Sequence, residues 1–131
     1  MLKSVAMSSL AFALGLTAWL MPMRGEQATA QAPLHILVVE YEIAPGEIDK
    51  YLTAVKELGA ATVKEPGFRQ LNITISKDDP RHVLLFEAWD NAEAHAAHVK
   101  TDRFKQYQAT TGSMIAKRNV RTFSSVAMLS P

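Results

Sequence analysis

From Leu34 to Ile43 the chain is dominated by apolar and β-branched residues and ends at Pro45-Gly46, which predicts a first strand closed by a turn. From Glu47 the period changes. Ile48, Leu52, Val55, Leu58 and Thr62 recur at steps of three and four, which places them on one stripe of a helix running to about Lys64 and stopped by Pro66-Gly67. Phe68 to Ser76 alternates again, with Leu71, Ile73 and Ile75 on one face and Gln70, Asn72 and Thr74 on the other. Lys77-Asp78-Asp79-Pro80 turns the chain into a third strand, His82 to Trp89, so the central pair reads as a hairpin. Asp90 followed by Glu93 has the form of a capping box and predicts a helix from Asn91 to about Val99. Thr101-Asp102 is a second N-cap signal, opening a helix through Phe104, Tyr107 and Ile115 with Gly112 as its weak point. Asn119 to Leu129 alternates once more and predicts a fourth strand. The order β-α-β-β-α-β defines an α+β fold, the ferredoxin-like split βαβ unit with a four-stranded antiparallel sheet and its helices on one face.

Strand three adds a consequence. Val83 and Leu85 are apolar on one of its faces, and Leu84, Phe86 and Ala88 on the other. Both faces of the sheet want burial, yet two helices cover only one, so a second copy of the chain is expected on the uncovered side as a homodimer through sheet faces.

The pattern before Gln31 is different in kind. Lys3 precedes an uncharged run from Ser4 to Met23 with Leu10, Phe12, Leu14, Leu16, Trp19 and Leu20 as its apolar core; Pro22 breaks it and Ala28-Thr29-Ala30 follows. Residues 1–30 thus read as a signal peptide cleaved after Ala30, sending residues 31–131 to the periplasm or outside the cell as one domain. The alternative is an uncleaved N-terminal anchor, the one circumstance in which membrane contact is expected.

Composition narrows the function classes. Of 14 basic and 13 acidic residues, setting aside Lys3, Arg24 and Glu26 leaves twelve of each, a balance without the footprint of a nucleic-acid-binding protein. There is no cysteine, which excludes disulfides, thiolate metal sites and cysteine nucleophiles. With 48% apolar and 21% charged residues the chain has the makings of a packed globule.

The run Phe86-Glu87-Ala88-Trp89 through Ala94-His95-Ala96-Ala97-His98 to Thr101-Asp102-Arg103-Phe104-Lys105, with Glu65-Pro66-Gly67-Phe68 upstream, resembles the antibiotic biosynthesis monooxygenase family, which includes the quinol monooxygenases. The likeness extends from Leu34 to about Phe123. It implies a ferredoxin-like protomer, a dimeric α+β barrel, and a pocket between sheet and helices in which electron-rich phenols or quinols are oxygenated by O2 without metal, flavin or haem. Haem-degrading members of the family use an Asn, a Trp and a His. The corresponding positions here hold Tyr41, His98 and Gln108, so the haem-ligand histidine is missing and no cofactor is expected.

Cofactor-free oxygenation needs a base and a sheltered pocket. His98 is the candidate base, because imidazole titrates near neutrality and its helix follows directly on the strand bearing Glu87 and Trp89. Glu87 could orient that imidazole, or instead serve as partner to a basic residue such as Arg121. Trp89, Phe104, Tyr107 and Phe123 offer walls for a flat aromatic substrate and would equally suit an ordinary core, while the Asn72 amide points either into the pocket or to solvent. His95 and His98, with Glu93 or His82, lack the spacing of a metal site, and His95 is expected to face solvent. The resulting expectation is a cofactor-independent monooxygenase acting on a small quinol or phenol; the alternative is a non-catalytic small-ligand-binding or stress-response module.

Overall fold

The computed structural model describes residues 31–129, and the segment read as a signal peptide lies outside the described residues. The elements are β1 (His35–Ile43), α1 (Ile48–Thr62), β2 (Phe68–Ile75), β3 (His82–Trp89), α2 (Ala92–His98), α3 (Asp102–Thr111), a 3-10 turn (Gly112–Met114) and β4 (Ile115–Ser124). All strand pairs are antiparallel and the sheet order is β2-β3-β1-β4, which is the ferredoxin-like arrangement.

Alternation along each strand sorts the residues into two layers. Leu37, Val39, Tyr41 and Ile43 of β1 and Val83, Leu85 and Trp89 of β3 join Tyr51 and Val55 of α1 and Tyr107 of α3 in one buried cluster. Burying side chains of this size stabilises by roughly 1.5–3 kcal/mol each, so this layer carries the fold. The opposite face holds a smaller cluster of Leu34, Ile36 and Ala88 with Phe86 packed against it. Ser125 begins to cover that face, since Leu34 and Ser125 exchange two hydrogen bonds, the amide of Leu34 to Oγ at 2.7 Å and the amide of Ser125 to the Leu34 carbonyl at 3.0 Å. The segment Ser125 to Leu129 then lines a hollow of about 430 Å³ with Ile36, Asn72 and Phe86. It leaves Val126 and Leu129 wholly exposed and Phe123 half exposed.

Four boundaries differ from the sequence pattern: the cap of α2, the end of α3 and both ends of β4. The cap of α2 is Asn91, whose side chain accepts from the Ala94 amide at 2.9 Å; Asp90 pairs with Arg69 and is not the cap. Thr101 does cap α3, accepting from the Phe104 amide at 3.2 Å. Helix α3 ends at Thr111 rather than reaching Ile115, and β4 begins at Ile115 and stops at Ser124. Pairing explains both ends, because Ile115 lies opposite Ile43 and Ser124 opposite His35, beyond which β1 offers no further partner.

The turn between α1 and β2 depends on Gly67. Its φ is +78°, a left-handed conformation that glycine reaches without strain, and a Cβ placed there would lie 2.6 Å from Ala94 Cβ. The missing side chain lets α2 approach β2, and the Gly67 carbonyl accepts from the Asp90 amide at 2.7 Å just before α2 begins. Gly67→Ala should therefore destabilise the domain by about 2 kcal/mol. Adding Ala94→Gly should recover only part of the loss, since it relieves the contact but not the backbone strain; denaturant titration of the two proteins checks both values.

Candidate functional site

The elements that meet above the helix-facing side of the sheet enclose a small cavity of about 30 Å³. Tyr41 comes from β1, Leu58 from α1, Leu71 from β2, Glu87 from β3, His98 from α2, and Phe104 and Tyr107 from α3. Most of these side chains are apolar, so the polar groups stand out.

His98 ends α2 and is 4% exposed. Trp89 lies against one side of its ring, centroids 4.9 Å apart and planes at 37°, and Phe104 meets it edge-on at 4.9 Å. Its Nδ1 is 2.8 Å from Glu65 Oε2. A carboxylate accepts, so Nδ1 donates in this contact, while Nε2 has no hydrogen-bond partner among the described residues. The imidazole is thus held by stacking and by a carboxylate at one nitrogen and is open at the other.

The carboxylate that binds the His98 imidazole is Glu65, and Glu87 bonds to Trp89 instead. Glu65 belongs to the Glu65-Pro66-Gly67 turn, and the same turn that admits α2 through Gly67 reaches the far end of that helix through Glu65. The sequence carried a signal for it in that motif, which the resemblance had singled out without giving Glu65 a role.

Glu87 faces the cavity from the strand position opposite Leu37 and Leu71. Its Oε2 accepts from Trp89 Nε1 at 3.2 Å, and burial pushes its carboxyl above the usual range, opposed by the Trp89 hydrogen bond and by the charges of His98 and Arg118. The alternative partner Arg121 is on the other side of the sheet, where it pairs with Glu40 at 3.2 Å. Tyr107 donates from its hydroxyl to that of Tyr51 at 3.0 Å, and burial raises both phenols above their ordinary range.

The predicted site residues therefore divide. His98, Glu87, Phe104 and Tyr107 line one cavity, and Trp89, fully buried, backs His98. Asn72 and Phe123 do not belong to it. Asn72 pairs in register with Phe86 and Phe123 with Ile36, which puts both on the opposite face because strand alternation leaves no other choice. His95 is not a solvent-facing control either: it is half-buried, with ring centroids 5.8 Å from both His35 and Trp89. Leu58, which the helical stripe had assigned only to the core, is a wall of the cavity. Together with Tyr107 it also lines an open groove of about 280 Å³ between α1 and α3, whose rim includes Glu57 and Arg103.

Fold and site together define a small ferredoxin-like α+β domain with an enclosed, mainly apolar pocket holding one imidazole and one carboxyl. The sequence profile of the antibiotic biosynthesis monooxygenases matches residues 34–110, and the chain belongs to that family. Among solved structures it is similar to a Nitrosomonas europaea protein provisionally assigned as an antibiotic biosynthesis monooxygenase, with 22% identity and a TM-score of 0.70 over 73% of this chain and 93% of that one. A conserved protein from Methanosarcina mazei Go1 superposes with a TM-score of 0.67 at 17% identity, covering 71% of this chain and 93% of that one. A Bacteroides thetaiotaomicron VPI-5482 protein of unknown function, described as a possible oxidoreductase, shares 27% identity with a TM-score of 0.64 over 73% of this chain and all of its own length. No curated protein matches the chain significantly.

The surroundings of His95 make a stability prediction. Burial, with the charges of His98 and His35 next, lowers its pKa from 6.5 to about 4. Between those two values the unfolded chain binds a proton that the folded chain refuses, so this residue's contribution to stability is lost as pH falls through that window and levels off below it. His95→Phe keeps a ring against His35 and Trp89 and should flatten the fall of Tm between pH 6.5 and 4, as measured by thermal melts in low-salt buffers.

Proposed function

We propose that the protein is an exported, cofactor-independent monooxygenase that oxidises a small quinol or related phenol with O2, and that His98 is its base. The observation that carries this reading is the His98 imidazole, buried between Trp89 and Phe104, bound at Nδ1 by Glu65, and lining a mainly apolar cavity through which Nε2 can meet a hydroxyl. In the reaction, Nε2 takes the proton of the substrate hydroxyl. The aryloxide passes one electron to O2, and the resulting radical pair joins as a C–O bond at the activated ring carbon. The imidazolium returns its proton to the terminal peroxide oxygen. Loss of the C–H proton from that carbon then breaks the O–O bond, forming the new carbonyl and one water. One oxygen atom stays on the ring, both reducing electrons come from the substrate, and the chain supplies only proton transfer and shelter.

A space of about 30 Å³ fits a water molecule, whereas an engineered apolar cavity that takes benzene is about 150 Å³. The ring must therefore enter by displacing side chains, and the groove of about 280 Å³ outside Leu58 and Tyr107 is large enough to receive it first. The closed form also fits a module that binds a small apolar ligand without converting it. Oxygen uptake with menadiol, corrected for autoxidation, separates the two: enzyme-dependent uptake supports the monooxygenase, and its absence with retained ligand binding supports the module.

If His98 is the base, His98→Asn should lower the turnover number by about a hundredfold or more, while the asparagine amide still reaches Glu65 in place of Nδ1 and limits the loss of stability. Undiminished turnover would remove His98 from the mechanism. His98→Ala is the harsher variant, because it would leave the Glu65 carboxylate and the ring face of Trp89 without their partner.

The same reading includes a homodimer through the helix-free face, supported by the partly exposed Phe86, by the half-exposed Phe123 and by the wholly exposed Val126 and Leu129 of a C-terminal segment that covers that face incompletely. It also includes export, with the mature chain beginning at Gln31, supported by the charge-free run and the Ala28-Thr29-Ala30 box. Phe86→Asp should shift the chain to monomer at micromolar concentration in sedimentation velocity. A wild-type chain that is already monomeric there would overturn the dimer.

A further inference from the structure

The proposed reaction leaves a part-buried carboxyl unused. Glu87 sits in a layer of apolar side chains, opposite Leu37 on one neighbouring strand and Leu71 on the other, where a carboxyl without a strong partner is costly. It makes no ion pair among the described residues. Its Oε2 is taken by the indole of Trp89, while Oε1 has no hydrogen-bond partner among them and no buried polar side-chain atom of the described residues is left orphaned, so Oε1 opens onto accessible space. The cavity that Glu87 lines is the one that holds His98.

We infer that Glu87 is a ligand-binding residue of this cavity, donating a hydrogen bond through its carboxylic acid group to the carbonyl oxygen of an aromatic ketone or quinone, the product class of the proposed reaction. The inference rests on the reading of the cavity as a ligand site but not on turnover. The groups that face Glu87 are His98 from α2, Arg118 from β4 and Tyr51 from α1, and none of them forms a hydrogen bond to it. Burial favours the protonated carboxyl, which is the form that can donate. Trp89, through its bond to Oε2, holds the group in place and reports on it.

The experiment is a fluorescence titration of the full chain carrying Trp19→Phe, which leaves Trp89 as the sole tryptophan. The probes are menadione, which has carbonyl oxygens, and 2-methylnaphthalene, which has none. Menadione should bind more weakly as pH rises and Glu87 ionises, while 2-methylnaphthalene should show no such trend. Glu87→Gln keeps both an acceptor for the indole and a donor for the ligand, so it should bind menadione with little dependence on pH. Glu87→Leu should lose about tenfold in menadione affinity and none for 2-methylnaphthalene, the size expected for one hydrogen bond. A pH dependence that survives in Glu87→Gln belongs to His98 and would overturn the inference, as would unchanged menadione affinity in Glu87→Leu. Quenching by neither probe in any protein would overturn the ligand site itself, an outcome distinct from absent turnover with intact binding.

Discussion

The docking of α2 onto the Glu65-Pro66-Gly67 turn is the constraint on which the site depends. A seven-residue helix has little stability of its own, since nucleation costs more than so few hydrogen bonds return. It persists here because the turn grips it at three places. The Gly67 carbonyl and the Arg69 side chain hold Asp90 ahead of the helix, the bare Cα of Gly67 receives Ala94 in its middle, and Glu65 binds His98 at its end. The bond that places the imidazole is therefore also one of the bonds that keep the helix folded. Removing the His98 side chain therefore disturbs the helix as well as the cavity, and an isosteric variant disturbs the helix least.

The sheet divides the molecule into two chemistries by strand alternation alone. On the helix side, β1 and β3 deliver the buried cluster and, at one register position among those apolar side chains, the carboxyl of Glu87. On the other side the same strands deliver Ile36, Phe86 and Ala88, while the outer strand β4 offers Arg121 and Asn119 to Glu40, and Lys117 to Glu42. Those exposed pairs contribute little to stability, about 0–1 kcal/mol each. They do concentrate charge at one end of that face and leave its other end apolar. An association surface with an apolar half and a charged half has its register limited by the charges and its affinity by the apolar half.

Periodicity made the element order and the β2-β3 hairpin legible in the sequence, because β2 alternates cleanly, α1 keeps a single stripe, and the apolar runs of β1 and β3 are bounded by turn signals. The end of α3 was misjudged because Ile115 continues a helical spacing that only its pairing with Ile43 overrides. The cap of α2 was misjudged because Asp90 and Asn91 are both good caps, and the choice is made by Arg69, twenty-one residues earlier, which engages Asp90. Within the site, His98, Glu87, Phe104 and Tyr107 could be picked by residue type and local motif. Asn72 and Phe123 could not be excluded that way, since excluding them needs the register of whole strands. Glu65 could not be given its role either, because it meets His98 across thirty-three residues of sequence and only the fold shortens that distance.

Access to the cavity follows from how unequally its two outer walls are held. Tyr107 is tethered, its hydroxyl bonded to Tyr51 and its ring buried in the main cluster, so moving it breaks a buried hydrogen bond. Leu58 is half-buried on the outer side of α1 and makes no polar contact; a change of rotamer costs it only packing. Of the two side chains shared by the cavity and the α1–α3 groove, Leu58 is thus the cheaper to move. Within a groove rimmed by Glu57, Arg103 and Gln106, Leu58 is the apolar side chain that separates the groove from the cavity. Behind Leu58 lie the polar groups of the cavity, His98 and Glu87 among them.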